Sequence, residues 1–132
     1  MNSNNLPIYY IAPGKNIEKV FTEETMQNYL SHMDRTIGVD CVWIFDGTGL
    51  ENMDMPNPML IQRFYKLIDE RYGAYLKNIF IINMNWKVDA IYKIIKTFMS
   101  EDIKRRVTFC KHPIELVAAG IKATLVDIIY RR

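Results

Sequence analysis

An acidic residue followed by a glycine-rich turn stands at the end of an apolar stretch. Asp46-Gly47-Thr48-Gly49 directly follows residues 41–45 (CVWIF), whose unbroken apolar character predicts a strand covered on both faces. The carboxyl end of such a strand is where many α/β proteins place their functional groups. Three kinds of chemistry therefore have to be tested against the spacing: phosphoryl transfer through an aspartyl nucleophile, aspartic-protease hydrolysis, and phosphate binding by a glycine-rich loop.

Each of these interpretations lacks a residue that its chemistry requires. Haloacid-dehalogenase phosphatases begin with D-x-D-G-T, and the first acid of that pattern falls at Ile44, whose alkyl group cannot attack phosphorus. An aspartic protease needs Asp-Thr-Gly, whereas Gly47 follows Asp46. A Walker loop needs a lysine and a dinucleotide loop a third glycine, where this chain has Leu50 and Asn52. We therefore interpret Asp46 as a residue that bonds backbone amides and organises a turn.

The histidines and cysteines form no recognisable catalytic or metal-binding pattern. His32 and His112 are isolated, and His112 precedes a proline at a predicted helix start. Cys41 and Cys110 both lie in apolar runs, which favours buried, reduced thiols. From the sequence we expect a protein without catalytic activity, bound metal or cofactor.

Length and composition predict one globular domain. The chain has 132 residues, of which 49% are hydrophobic and 24% charged. We assign residues 1–5 to a flexible tail and residues 6–132 to a single domain. The net charge of +2 does not favour nucleic acid as a partner. A signal peptide and an apolar run of about 18 residues are both missing from the sequence, which predicts a cytoplasmic protein.

Apolar periodicity predicts alternating strands and helices. The predicted strands are residues 7–12, 41–45, 79–82 and 107–110, and the predicted helices are residues 22–33, 57–73, 89–99 and 114–119. Residues 124–130 fit either a last strand or a helix. This order predicts an α/β fold with a mostly parallel central sheet and helices on both faces.

An ordered series of short motifs resembles the CRAL-TRIO family, the lipid-binding domains of phosphatidylinositol/phosphatidylcholine transfer proteins and of tocopherol and retinaldehyde carriers. The central part of the series reads LIDERYGAYLKNIFIINMNWKVDAIYKIIKTFMSEDIKRRVTFC from Leu67 onward. The matching elements are Asp46-Gly47-Thr48-Gly49, Arg71-Tyr72-Gly73, Ile81-Ile82-Asn83, Trp86, Lys96-Thr97-Phe98-Met99, Glu101-Asp102 and Arg105-Arg106-Val107. They follow the family's order and spacing between about Cys41 and Ala119.

The resemblance implies non-catalytic binding of a lipid or another small apolar ligand, with possible peripheral contact with membranes. In the family, the helix that follows Asn83 gates a cavity over the sheet. The ligand-binding residues implied here are Phe80, Ile82, Trp86, Tyr92, Ile95, Phe98, Met99 and Arg106. Lys87, Lys93 and Lys96 would then meet anionic headgroups. The acid that helps some members hold an inositol headgroup falls at Ala74, which leaves only the cation, Arg106.

A second function class stays open at this point. Divergent members of the family, including the BCH-type modules, bind proteins such as small GTPases. The apolar residues of the gating helix have the spacing of any core-facing helix, so they also fit a filled interior. An intact apolar cavity would favour a ligand carrier, whereas a filled interior with an exposed apolar patch would favour a module with a protein partner.

Overall fold

The structure, a computed structural model, describes residues 6–15, 22–36 and 38–131. The tail assigned to residues 1–5 lies outside the described residues. Four strands form one sheet in the order β1-β2-β3-β4, and every neighbouring pair is parallel. The strands are β1 (Ile8–Ile11), β2 (Cys41–Asp46), β3 (Leu76–Ile82) and β4 (Val107–Cys110). The predicted α/β class with a parallel sheet is thereby confirmed.

The helices fill the connections between the strands and complete the chain after β4. They are α1 (Glu23–Met33), α2 (Pro58–Tyr72), α3 (Trp86–Lys96), α4 (Glu101–Arg106), α5 (Pro113–Ala118) and α6 (Ala123–Arg131). Short 3-10 turns cover Pro13–Lys15, Asp34–Thr36 and Leu50–Asn52. In α1 to α4, a side chain at the N-cap accepts a bond from a first-turn amide; the caps are Thr22, Asn57, Asn85 and Ser100.

The strand order determines where the helices lie. Successive parallel strands that are also neighbours, joined by crossovers of one hand, place their connecting helices on the same face of the sheet. Helices α1 and α2 accordingly pack with Trp43 and Leu76 in one core cluster, and α3 packs over Ile81 beside them. Helices α5 and α6 cover the opposite face, where Leu116 and Val126 contribute to a second core cluster.

Two helices, α3 and α4, differ from the predicted elements, and the last segment takes the helical one of its two predicted alternatives. Residues 123–131 form a helix, because Val126 and Ile129 recur at helical spacing and both are buried against the sheet. Helix α3 begins at Trp86 and not at residue 89, because the Asn85 side chain caps the amides of Lys87 and Val88. Helix α4 was not predicted.

Candidate functional site

An apolar cavity of about 180 Å³ lies between the sheet and the helices α2, α3 and α4. The sheet supplies the floor through Trp43, Phe45, Ile79, Ile81 and Val107. Helix α2 and the loop before it supply most of one wall, through Leu50, Met53, Pro56, Ile61, Phe64, Tyr65, Ile68 and Asp69. Ile91, Tyr92, Ile95, Met99 and Ile103 form the wall opposite, on α3, α4 and the link between them.

The local sequence explains why these side chains meet. On β2 and β3, alternate residues point to opposite faces, so Trp43 and Phe45 share a face with Ile79 and Ile81. The apolar face of α2 points to the same side, as its periodicity predicts. Within the described part of the chain, no nitrogen or oxygen atom is exposed to the cavity. The site is therefore suited to an apolar group and offers no hydrogen bond to an occupant.

Three of the residues assigned from the sequence line this cavity. Tyr92 and Ile95 project from α3, and Met99 follows the end of that helix. The ring of Tyr92 packs edge to face against Phe109 on β4, with 5.1 Å between the ring centroids. Helix α3 thus lies next to the cavity, and both its gating role and ligand binding by these residues stay predictions.

The assignment of Phe80 and Ile82 to the cavity is wrong. Both side chains belong to the core on the opposite face of the sheet, with Leu116 and Val126. Phe80 and Ile82 alternate with Ile79 and Ile81 along β3, so the two pairs necessarily face opposite sides. Because β3 is apolar on both faces, its sequence does not reveal which pair faces the cavity.

Trp86 and Phe98 also lie outside the cavity lining. Trp86 is 65% exposed and Phe98 is 42% exposed. Trp86 is the first residue of α3, and the Lys87 ammonium lies 5.1 Å from its ring centroid. Both aromatic side chains therefore contribute to the surface and not to the wall of the cavity.

The Arg106 side chain is hydrogen-bonded to backbone carbonyl groups. Its Nη1 donates to the carbonyl oxygens of Gly73 at 2.8 Å and Leu76 at 3.0 Å, and Nη2 lies 3.8 Å from the Asp102 carboxylate. The guanidinium thus ties the end of α2 to the start of β3. The assignment of Arg106 as the free cation for a headgroup does not agree with this geometry.

The three lysines assigned to headgroup contacts have different environments. Lys87 is only 6% exposed, and its ammonium donates to the carbonyl oxygens of Glu51, at 3.3 Å, and Met53. This buried cation joins α3 to the loop that closes one end of the cavity. Lys93 is exposed and pairs with Asp89 at 3.0 Å, and Lys96 is exposed. The headgroup role of Lys87 is wrong because its charged group points inward.

Sequence reasoning missed the wall supplied by α2 and by the preceding loop. Ile61, Phe64 and Ile68 recur at helical spacing, so periodicity identified them as inward-facing residues. No signal assigned them to a cavity, because the same spacing describes a helix packed without a gap. Leu50 and Met53 lie between the predicted strand 41–45 and the predicted helix 57–73, where no periodicity indicates which side chains face inward.

Asp46 forms the centre of a separate polar network at the carboxyl end of the sheet. The residue is fully buried, and its Oδ1 accepts bonds from the Thr48 amide at 2.9 Å, the Thr48 hydroxyl at 2.6 Å and Asn83 Nδ2 at 3.0 Å. Oδ2 accepts a bond from the Tyr10 hydroxyl and lies 3.0 Å from the Lys15 ammonium. Burial by itself raises the pKa of this carboxyl, but the bonds from Thr48, Tyr10 and Asn83 outweigh it and hold the pKa well below its ordinary value.

The glycines after Asp46 serve the turn. Gly49 has a φ of 77°, a conformation that favours glycine. Gly14 lies against the same turn, where a side chain would collide with the Thr48 carbonyl oxygen. The Asp46 segment is thus a tightly packed corner between β1, β2 and β3, in agreement with its interpretation as a turn-organising residue.

Comparison with known proteins agrees with this architecture. The model of the CRAL/TRIO domain family matches residues 1–118, which is most of the chain. The chain belongs to the CRAL/TRIO domain family. It is 24% identical over 94 residues to the mouse (Mus musculus) Rho GTPase-activating protein 8, covering 70% of this chain and 22% of that protein. The match therefore spans about a fifth of that relative.

Within residues 6–15, 22–36 and 38–131, no helix combines the length and the hydropathy that crossing a bilayer requires.

Proposed function

We propose that this domain binds a lipid or another small apolar ligand without catalysing a reaction. The observation that carries the proposal is the apolar cavity between the sheet and helices α2 to α4. Cavities lined by apolar side chains bind apolar molecules, because the ligand loses its contact with water on entry. Membership of the CRAL/TRIO family supports the same function.

The arrangement around Asp46 supports the non-catalytic part of the proposal. Both carboxylate oxygens are occupied by bonds to neighbouring groups, and the side chain is fully buried. A reacting group would have to displace one of these partners to reach the carboxylate. We assign Asp46 a structural role for this reason.

The position of α3 suggests how a ligand would enter. Tyr92 and Ile95 are half-buried and line the cavity, so a movement of α3 away from the sheet would widen its opening to the outside. Exposed Trp86 at the start of α3 is suited to the interfacial region of a membrane. Ligand exchange during peripheral membrane contact is therefore part of the proposal.

Mass spectrometry of the purified protein tests this function. Native spectra and organic extracts should contain an apolar ligand in roughly stoichiometric amount, either after gentle purification or after incubation with phospholipid vesicles. Absence of any bound ligand under both conditions would contradict the proposal.

Exposed apolar side chains favour a second candidate, a module that binds a protein partner. Met84 and Trp86 are separated by one residue and are 42% and 65% exposed, beyond the carboxyl end of β3. The relative with a similar segment is a Rho GTPase-activating protein. Titration calorimetry with a purified Rho GTPase tests this candidate: Trp86→Ala should weaken binding, and the matched exposed substitution Phe98→Ala should not.

A further inference from the structure

The size and chemistry of the cavity restrict the class of ligand. Its volume of about 180 Å³ is small compared with sites for drug-sized molecules, which occupy roughly 300–1,000 Å³. Engineered apolar cavities of about 150 Å³ bind benzene. The available space thus corresponds to one six-membered ring with a short alkyl substituent.

The side chains that line the cavity restrict the polarity of a ligand as strictly as the volume restricts its size. Asp69 and Tyr65 belong to the wall, but within the described ranges neither these nor other residues expose an oxygen or nitrogen atom to the interior. The Tyr65 hydroxyl is itself buried. A hydroxyl, carboxylate or phosphate on a ligand would therefore lose its bonds to water and gain none in return.

The cations near the cavity do not change this conclusion. The Lys87 ammonium is bound to the carbonyl oxygens of Glu51 and Met53, and the Arg106 guanidinium is bound to those of Gly73 and Leu76. Neither Lys87 nor Arg106 is among the residues that line the cavity, so an anionic group inside it would meet neither cation. These two cations, assigned to headgroups from the sequence, are thus bound to backbone carbonyl groups of the fold.

We infer that the cavity binds a small, uncharged, hydrocarbon-like molecule, close in size to an alkylbenzene, and excludes diacyl phospholipids. This inference rests on the function proposed above and specifies its ligand class. A longer chain would exceed the volume of about 180 Å³ and would leave part of its apolar length outside the cavity, without the contacts of the apolar lining.

Toluene is a suitable probe, and dioleoylphosphatidylcholine vesicles and oleate are the comparison ligands. Saturating toluene should raise the melting temperature by roughly 3 °C or more, as expected for a ligand that binds only the folded state. It should also shift the amide resonances of Ile81 and Tyr92 in a 15N-correlated NMR spectrum. Neither comparison ligand should be retained in stoichiometric amount.

Two cavity-filling variants test whether toluene binds in this cavity. Ile95→Phe and Ile91→Phe add volume to side chains that line the cavity, so each should abolish the toluene-induced shifts. Ile94→Phe is the matched control, because Ile94 lies on the same helix and outside the lining. If one filling variant fails to fold, the other still gives the answer.

The possible outcomes separate this inference from the proposed function. Retention of phosphatidylcholine or oleate without any effect of toluene would overturn the ligand class and leave apolar-ligand binding intact. Binding of none of the three ligands would overturn both. Equal toluene binding by the wild type and by both filling variants would place the site elsewhere and overturn the inference.

Discussion

The Lys15 ammonium lies 3.0 Å from the carboxylate of Asp46, a side chain that is fully buried at the end of β2. Lys15 also donates to the Tyr10 hydroxyl at 2.6 Å, and Tyr10 in turn donates to Asp46. The ion pair and this hydrogen bond fasten the end of β1 to the end of β2. Residues that are separated by about thirty positions in sequence are thereby held in one network.

Removal of the Asp46 carboxylate should destabilise the protein without preventing folding. Asp46→Ala leaves Thr48, Asn83 and Tyr10 without an acceptor, and we expect a loss of about 3 kcal/mol in the free energy of unfolding. Asp46→Asn retains one acceptor oxygen and should lose less. Urea denaturation measures both losses. Asp54→Ala, an exposed acid in the following loop, is the control and should have little effect.

The lowered pKa of Asp46 predicts that the folded protein loses stability in acid. A carboxyl whose folded-state pKa lies below its unfolded value, about 3.9, contributes stability that is complete above that value. This contribution is lost as the pH falls towards the folded-state pKa, because protons then bind preferentially to the unfolded chain. Stability measured from pH 6 to pH 2 should therefore decline less steeply in Asp46→Asn than in the wild type. Identical slopes of stability against pH in the two proteins would contradict the lowered pKa assigned to Asp46.

Lys87 should hold the loop that closes the cavity. Lys87→Met keeps an apolar chain of similar length but removes the donor to Glu51 and Met53, with an expected loss of about 2 kcal/mol. Amide hydrogen exchange should accelerate in the loop around residues 50–53. Lys93→Met removes an exposed ammonium from the same helix and is the matched control. Unchanged exchange in Lys87→Met would show that the loop is held by other contacts.

Arg106 should be required for stability and not for headgroup selection. Arg106→Ala removes two charge-assisted bonds to Gly73 and Leu76, which should lower the free energy of unfolding by about 2–3 kcal/mol. Arg105→Ala changes an exposed neighbour and provides the control. Co-sedimentation with anionic vesicles should be the same for both variants at temperatures where both are folded. A selective loss of anionic-lipid binding in a fully stable Arg106→Ala protein would restore the headgroup role.

The sequence by itself predicted the architecture and the turn at Asp46. Apolar periodicity located the four strands and most helices, and the series from Asp46 to Val107 indicated the family. These signals are local, because side-chain period and capping depend on residues a few positions apart. The missing nucleophile at Ile44 likewise favoured a turn before any contact of Asp46 was known.

Only the tertiary structure decided which side chains face the cavity and which cations are free. Residues on both faces of β3 are apolar, so the choice between Ile81 and Ile82 depends on which helices cover each face. The cations Lys87 and Arg106 were assigned to headgroups from the family resemblance, whereas their partners are backbone carbonyls thirty or more residues away. A backbone carbonyl occurs at every residue, so no residue type in the sequence marks those that become acceptors.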